Sequence, residues 1–327
     1  MTLTLDEARE RFGGELERRL MEAVAEGGDD LLCGMSTFHL ETGGKRLRGM
    51  IPLVVVANLG GDPEEALEIG VALELLHNAT LVHDDLQDGD EVRRGAPAIW
   101  ARWGAAQAIN TGDALYFHGL SRLVRAPAGV ALVQPVSDAM LRVIAGQVME
   151  FRMQEPQGGE AHLDPGIGVW ETMARGKTGA LFGACFYGGV LAATGDRDRA
   201  DGAQRFGETL GLLFQVQDDY LDLVGDKGRG RRGSDLAEGK WSYPVAWVLS
   251  NGDPLDAASL HALVTTPRED TTDAMISDGL ALLERTGAFA ATATWLRETA
   301  ASLEDGPEAG LVPGLVTRVL APVAHAL

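Results

Sequence analysis

The sequence predicts an all-α protein built as a single helical domain. Three observations lead there. Apolar residues recur at helical spacing along most of the 327 residues. Alternating strand patterns closed by hairpin turns are scarce. No repeat of fixed period and no Ser/Pro-rich linker divides the chain, and 45% apolar residues suffice for a sizeable core.

Taken in order, Leu5 to Glu26 reads as a charged amphipathic helix. A Gly43-Gly44 break precedes a helix from Lys45 to Leu59. Gly60-Gly61-Asp62-Pro63 ends it and starts the next, with Pro63 suited to a first turn. Glu64 to about Gln87 is apolar on most sides and should lie deep, although it carries Glu68, Glu74, His77 and Asn78. Further helices are expected near Ala105–Val124, Pro135–Gln154, Gly168–Leu191, Ala203–Leu223 and Tyr243–Leu249, with loops at Glu155–Pro165 and Gly225–Gly233. The stretch after Gly252 is alanine-rich and helical, without an interpretable motif.

Composition narrows the function. Acidic residues exceed basic ones by 48 − 28 = 20. That excess argues against a nucleic-acid partner, which needs clustered cations. Small anionic substrates need only a few placed cations and metal ions. Cys33 and Cys185 have no metal or redox spacing. The charged N-terminus lacks the apolar region of a signal peptide, and no apolar run is long enough for a membrane span. The default expectation is a soluble cytoplasmic protein.

Two acidic clusters carry the chemistry. His83 to Gly95 reads HDDLQDGDEVRRG, and Phe214 to Asp226 reads FQVQDDYLDLVGD. Both contain Asp-Asp-x-x-Asp: Asp84, Asp85 and Asp88, then Asp218, Asp219 and Asp222. On a helix, positions i and i+4 share a face, so Asp84 with Asp88 and Asp218 with Asp222 should each present paired carboxylates. Oxygen-only ligands completed by substrate phosphates suit Mg²⁺. One copy alone reads equally well as a solvated acidic helix end. Two copies, each ending a strongly apolar helix where acids oppose the macrodipole, point instead to a dinuclear or trinuclear metal site for a diphosphate, at the mouth of an apolar helical cavity.

Cations lie beside the acids. GGKRLRG places Lys45 and Arg48 at i and i+3, on one helix face, Arg93 and Arg94 follow the first cluster, Lys177 precedes Thr178, and Lys240 follows the second cluster. Arginine offers a bidentate fork to phosphate and lysine a point charge. Any one of these taken alone reads as surface charge. No Walker-type or Rossmann glycine loop is present, so a nucleotide-driven mechanism lacks support.

In these motifs the chain resembles the trans-isoprenyl diphosphate synthases, or polyprenyl synthetases, from about Phe38 to Leu249. The resemblance rests on FHLETGGKRLRG, LLHNATLVHDDLQDGDEVRRG, GDAL (Gly112 to Leu115), GQVME (Gly146 to Glu150), KTGALF (Lys177 to Phe182), FQVQDDYLD and GSDLAEGKWSYP. It implies one isoprenoid-synthase domain over residues 1–327, a helical bundle around a deep central cavity with its motif-bearing core at about 38–249, usually a homodimer. It also implies two or three Mg²⁺ ions held by Asp84, Asp85, Asp88, Asp218, Asp219 and Asp222. Arg93, Lys177 and Lys240 match positions that contact an allylic diphosphate (dimethylallyl, geranyl or farnesyl). Lys45, Arg48, His77 and Arg94 match positions that hold isopentenyl diphosphate, and Thr178 and Gln215 match residues lining the reacting carbons. The sequence departs from the family at Gly49, often proline, and at Ser242, where the GKxT segment has serine for threonine. The loop GDKGRGRRGSD is short, and a role for Lys227 or Arg231 in it stays unassigned.

Product length should depend on the residues four and five before Asp84, Thr80 and Ala79. Family members that stop at farnesyl diphosphate place an aromatic floor there. Here neither is bulky, which predicts geranylgeranyl diphosphate, with geranylfarnesyl or longer as the alternative. Leu76, Tyr116 or Phe117 would supply a deeper floor. Two rival readings are a class I terpene cyclase on the same fold and a non-catalytic subunit of a heteromeric synthase. Lys45, Arg48 and Arg94 argue against the first, and two complete aspartate clusters against the second.

Overall fold

The computed structural model describes residues 2–327 apart from 27, 155–158, 160, 161, 164, 165 and 226–231. Lys227 and Arg231 therefore lie outside the described residues. The protein is all-α. Among the described residues the one strand pair is β1 (Val92–Arg93) against β2 (Ala96–Pro97), antiparallel, with Arg93 opposite Ala96. Two-residue strands leave no periodicity to detect, so the sequence shows only a turn there. No described helix is long and apolar enough to cross a membrane.

The fold divides into two compact units. The first comprises Met1–Met140, Leu181–Gly207 and Gly310–Pro313. It opens with α1 (Leu5–Ala25), started by a capping box in which Thr4 and Glu7 satisfy each other's backbone amides. α2 (Asp30–Glu41), capped by Asp29, has no counterpart in the sequence expectations. α3 (Leu47–Asn58) begins two residues later than expected, because Arg46 takes a left-handed conformation. α4 (Leu67–Asp88) is the deep helix. Asp62 caps a short 3₁₀ turn with Pro63 before it, and Gly89, left-handed, stops it.

After α5 (Ile99–Trp103), α6 (Ala105–Arg125) packs closely against α4. Small residues permit the approach: a Cβ on Gly119 would stand 2.9 Å from Leu76, and one on Gly112 would stand 2.2 Å from the His83 ring. α7 (Gly129–Gln154) starts before Pro135, which sits inside it, and passes into the second unit after Met140. α9 (Ala180–Thr194) is buried along nearly its whole length, with Phe182, Cys185 and Phe186 fully enclosed, so it lacks a polar face.

The second unit comprises Leu141–Ala180, Glu208–Ala309 and Gly314–Leu327. The expected helix Gly168–Leu191 is two helices, α8 (Ile167–Ala174) and α9, joined by a wide π turn at Arg175–Gly179. α10 (Arg197–Val224) enters this unit at Glu208 and ends after the second acidic cluster. α11 (Ser234–Ala237) and α12 (Tyr243–Asn251) follow, then α13 (Pro254–Val264), α14 (Asp273–Arg285), α15 (Ala288–Glu304) and α16 (Leu315–Leu320). Tyr243 packs between Trp170 of α8 and Trp295 of α15, with ring centroids 5.2 and 5.4 Å away, which anchors the start of α12.

Candidate active site

The first unit holds Asp84, Asp85 and Asp88 at the end of α4, the four residues matched to isopentenyl diphosphate (Lys45, Arg48, His77 and Arg94), and Arg93, matched to the allylic diphosphate. Asp84 and Asp88, one turn apart, are both partly exposed. Asp85, one residue on, points inward and is 1% exposed. Its Oδ1 accepts from Arg93 through Nε at 2.6 Å and Nη2 at 2.5 Å, while Oδ2 is buried without a hydrogen-bond donor. Burial, with help from Asp90 and Asp88, pushes the Asp85 carboxyl above the usual carboxylate range, and Arg93 opposes that rise. Three adjacent carboxylates thus divide into an exposed pair and one committed to an arginine.

Arg93 and Arg94 lie on the turn after α4, held by the β1–β2 pair and by the Trp100 indole, which donates to the Asp90 carbonyl at 2.8 Å. Arg94 has φ of 53° and reaches back to the glycine segment before α3, donating to the Gly43 carbonyl. Its guanidinium lies so close to Gly44 that a Cβ there would stand 3.0 Å away, and Gly44 has φ of 140°, so the position demands glycine. Lys45 is exposed and precedes α3, which corrects the expectation that it shares a helix face with Arg48. The physical reason is the run of positive φ at Gly43, Gly44 and Arg46, which no helix accommodates.

Arg48 stacks its guanidinium 4.5 Å from the Phe182 ring centroid. His77 is held well below the usual imidazole range by burial first, then by Arg48, Arg94, Arg93 and His39, so it is neutral near pH 7. A neutral imidazole amid arginines can donate one N–H to a phosphate without adding charge. His83 instead packs on α6, its ring 5.7 Å from that of Tyr116 and its Nε2 3.7 Å from Asp113. Burial, Asp84 and Asp113 push the Tyr116 phenol up to about 12. Phe117, one of the suggested deep floors, is 72% exposed and so cannot close a cavity within the chain. Ala79 is fully buried, whereas Thr80 is partly exposed.

The second unit holds Lys177, Thr178, Gln215, the second aspartate cluster and Lys240. The π turn re-aims Lys177 and Thr178 relative to a regular helix. Lys177 pairs with Glu150 of α7. The Thr178 hydroxyl donates to Gln215 Oε1 at 2.8 Å, Gln215 Nε2 donates to Asp219 Oδ1 at 3.0 Å, and the Tyr243 amide donates to Asp219 Oδ2 at 2.8 Å. Asp222 accepts from the Ser234 hydroxyl on one oxygen and from the Asp235 amide, at 3.0 Å, on the other. Asp219 and Asp222 are buried, and Asp218 alone of the three is partly exposed. Lys240 pairs with Glu238 at 3.0 Å. Glu150, Glu238 and Ser234 take part in these arrangements without having been singled out in the sequence, and Arg46, not singled out either, lies 3.7 Å from Glu74, which also accepts from the Gly49 amide. Glu74 carried a signal: an acid inside a strongly apolar helix demands a buried partner.

A divalent metal fits the donor set. In the first unit Asp84 and Asp88 are partly exposed hard oxygen donors and Asp85 keeps one buried oxygen without a donor; in the second unit Asp218 is a partly exposed donor of the same kind. No cluster of three or more metal-ligating side chains is preassembled among the described residues. Mg²⁺ does not require one, since it retains waters and completes its shell with substrate phosphates.

The model of the polyprenyl synthetase family matches residues 29–278. The chain belongs to the polyprenyl synthetase family. It is 30% identical over 283 residues to a short chain isoprenyl diphosphate synthase of Methanothermobacter thermautotrophicus, covering 85% of this chain and 84% of that one. It is 31% identical over 313 residues to a nonaprenyl diphosphate synthase of Mycobacterium tuberculosis, covering 94% and 89%. The crystal structure of geranylgeranyl pyrophosphate synthetase from Pyrococcus horikoshii superposes with a TM-score of 0.85 at 27% identity, covering 98% of each chain. As a member of this family the chain is a trans-prenyltransferase. Relatives of nearly equal identity carry names for quite different chain lengths, so identity does not fix the product.

Proposed function

We propose that this chain condenses isopentenyl diphosphate with an allylic diphosphate, in an Mg²⁺-dependent reaction, to give a longer all-trans prenyl diphosphate. The observation that carries the reading is the concentration of Lys45, Arg48, neutral His77 and Arg94 in the first unit, beside but distinct from the Arg93–Asp85 pair. A cyclase has no use for a second diphosphate site. In this reading Lys45, Arg48, His77 and Arg94 bind isopentenyl diphosphate. Arg93, Lys177 and Lys240 take the allylic diphosphate, their carboxylate partners Asp85, Glu150 and Glu238 holding them until it arrives. Asp84, Asp88 and Asp218 are the first-choice ligands for two or three ions. Asp85, Asp219 and Asp222, assigned by resemblance to the same task, also orient Arg93, Gln215 and the Ser234–Asp235 turn.

When bound, the divalent ions neutralise the leaving diphosphate. The protein's cations share that task as the allylic C–O bond ionises. Because the Thr178 hydroxyl hydrogen points to Gln215, its oxygen lone pairs remain for the allylic cation. The isopentenyl double bond, held beside that cation, attacks it, and a proton then leaves to the departed diphosphate. Apolar walls exclude the water that would quench the cation.

For product length, the small, partly exposed Thr80 supports geranylgeranyl diphosphate, with a longer product as the alternative. A homodimer is supported by one face of α6, where Ile109, Phe117 and Val124 are exposed at helical spacing. Steady-state kinetics test the site assignments. Lys45→Ala and Arg94→Ala should raise KM for isopentenyl diphosphate alone, and Lys177→Ala and Lys240→Ala that for the allylic partner. The opposite split would refute them.

A further inference from the structure

We propose that Arg46 is a positioning residue that presets the isopentenyl diphosphate site. The inference rests on the reading above and adds a residue to it. Among the described residues only two other than glycine have positive φ, Arg46 at 49° and Arg94 at 53°. Arg94 lies over Gly44, two residues from Arg46. Left-handed backbone is unfavourable for a side chain such as arginine, and such strain persists only where surroundings enforce it.

The side chain does the enforcing. Arg46 is 5% exposed, and its guanidinium is held from three helices. Nε and Nη2 donate to Glu17 of α1 at 2.7 and 3.1 Å. Nη2 also donates to the Leu40 carbonyl of α2 at 2.6 Å. Nη1 lies 3.7 Å from Glu74 of α4, and the other Glu74 oxygen accepts from the Gly49 amide at 3.0 Å. Asn78 donates to Glu74 and meets His39 at 3.1 Å. One planar fork thus ties the end of α2 to α4 and α1, and the segment it fixes, Gly43–Arg48, carries Lys45 and Arg48. A lysine point charge cannot hold the same set of acceptors in the same plane. The buried Arg46 guanidinium is engaged by Glu17, Leu40 and Glu74, so its role runs through the segment it holds rather than through substrate.

The test uses the full-length enzyme and steady-state kinetics with isopentenyl and farnesyl diphosphates. Arg46→Gly accepts the left-handed backbone but loses the fork, and Arg46→Lys keeps the charge without the fork. Both should raise KM for isopentenyl diphosphate about tenfold, with KM for farnesyl diphosphate changed less than about twofold. If both destabilise the protein and leave KM for isopentenyl diphosphate unchanged, Arg46 is merely structural and the proposal is overturned. Should either variant fail to fold, Glu17→Gln at the outer end of the clasp replaces it. That variant should raise the same KM a few-fold, and no change there overturns the proposal equally. Lys45→Ala separates the two levels. If it raises the isopentenyl KM while the Arg46 variants do not, only this proposal fails. If it has no effect, the site assignment fails and this proposal with it.

Discussion

Gly70→Ala sets two effects of known size against each other. Gly70 lies in the first turn of α4, where α3 crosses it. In an exposed helix, glycine to alanine stabilises by about 1 kcal/mol. At Gly70 the new Cβ would stand 2.3 Å from the Gly49 carbonyl oxygen and 3.0 Å from Leu53 Cδ1. Leu53 can rotate; a helical carbonyl cannot, so α3 must move by about 1 Å. Overpacking of this kind costs about 1–3 kcal/mol, which offsets or outweighs the propensity gain of about 1 kcal/mol, and we expect a net loss of about 0–2 kcal/mol. Gly14→Ala in α1 is the control, since its Cβ would meet nothing within 4 Å and should stabilise by about 1 kcal/mol. Urea unfolding followed by circular dichroism reads both. Moving α3 also disturbs the 3.0 Å Gly49–Glu74 bond and Arg48, so KM for isopentenyl diphosphate should rise in Gly70→Ala only. If Gly70→Ala stabilises as much as Gly14→Ala, the α3–α4 crossing is wrong.

Other predictions follow from burial and charge. Thr80→Phe should shorten the product seen by chromatography, whereas Ala79→Phe, at a site with no accessible surface, should chiefly lower the melting temperature; the reverse would move the floor to Ala79. His39 is pushed down to about 3 by burial first, then by Arg93, Arg94 and Arg46. The folded state therefore refuses a proton that the unfolded chain takes below about pH 6.5, so the stabilisation is complete above that pH and is lost as pH falls towards 3. By pH 5 the loss is on the order of 2 kcal/mol. His39→Gln should flatten the pH dependence of unfolding between 6.5 and 5, and an unchanged slope would contradict the assignment. Phe117→Glu should convert the proposed homodimer to monomer in sedimentation, and an unaltered dimer would remove the α6 face from the interface.

The sequence disclosed the helical class and the family's motifs, because apolar periodicity and acidic spacing are local. It did not disclose which carboxylates face solvent. The i, i+4 rule pairs Asp218 with Asp222, yet Asp222 is turned into Ser234 and the Asp235 amide, partners supplied by a turn twelve and thirteen residues away. Asp85 is withdrawn by Arg93 in the same way. The late start of α3 was hidden because nothing in GGKRLRG marks Arg46, rather than a glycine, as left-handed; that depends on Glu17, Leu40 and Glu74. The π turn at Arg175–Gly179 similarly leaves the apolar spacing on both sides intact.

Product analysis with farnesyl diphosphate, with and without isopentenyl diphosphate and with and without Mg²⁺, addresses the proposed reaction directly. Inorganic pyrophosphate and a prenyl diphosphate lengthened by five carbons or more should form only when both substrates and the ion are present. Release of pyrophosphate with a hydrocarbon from farnesyl diphosphate alone would contradict it and identify a cyclase.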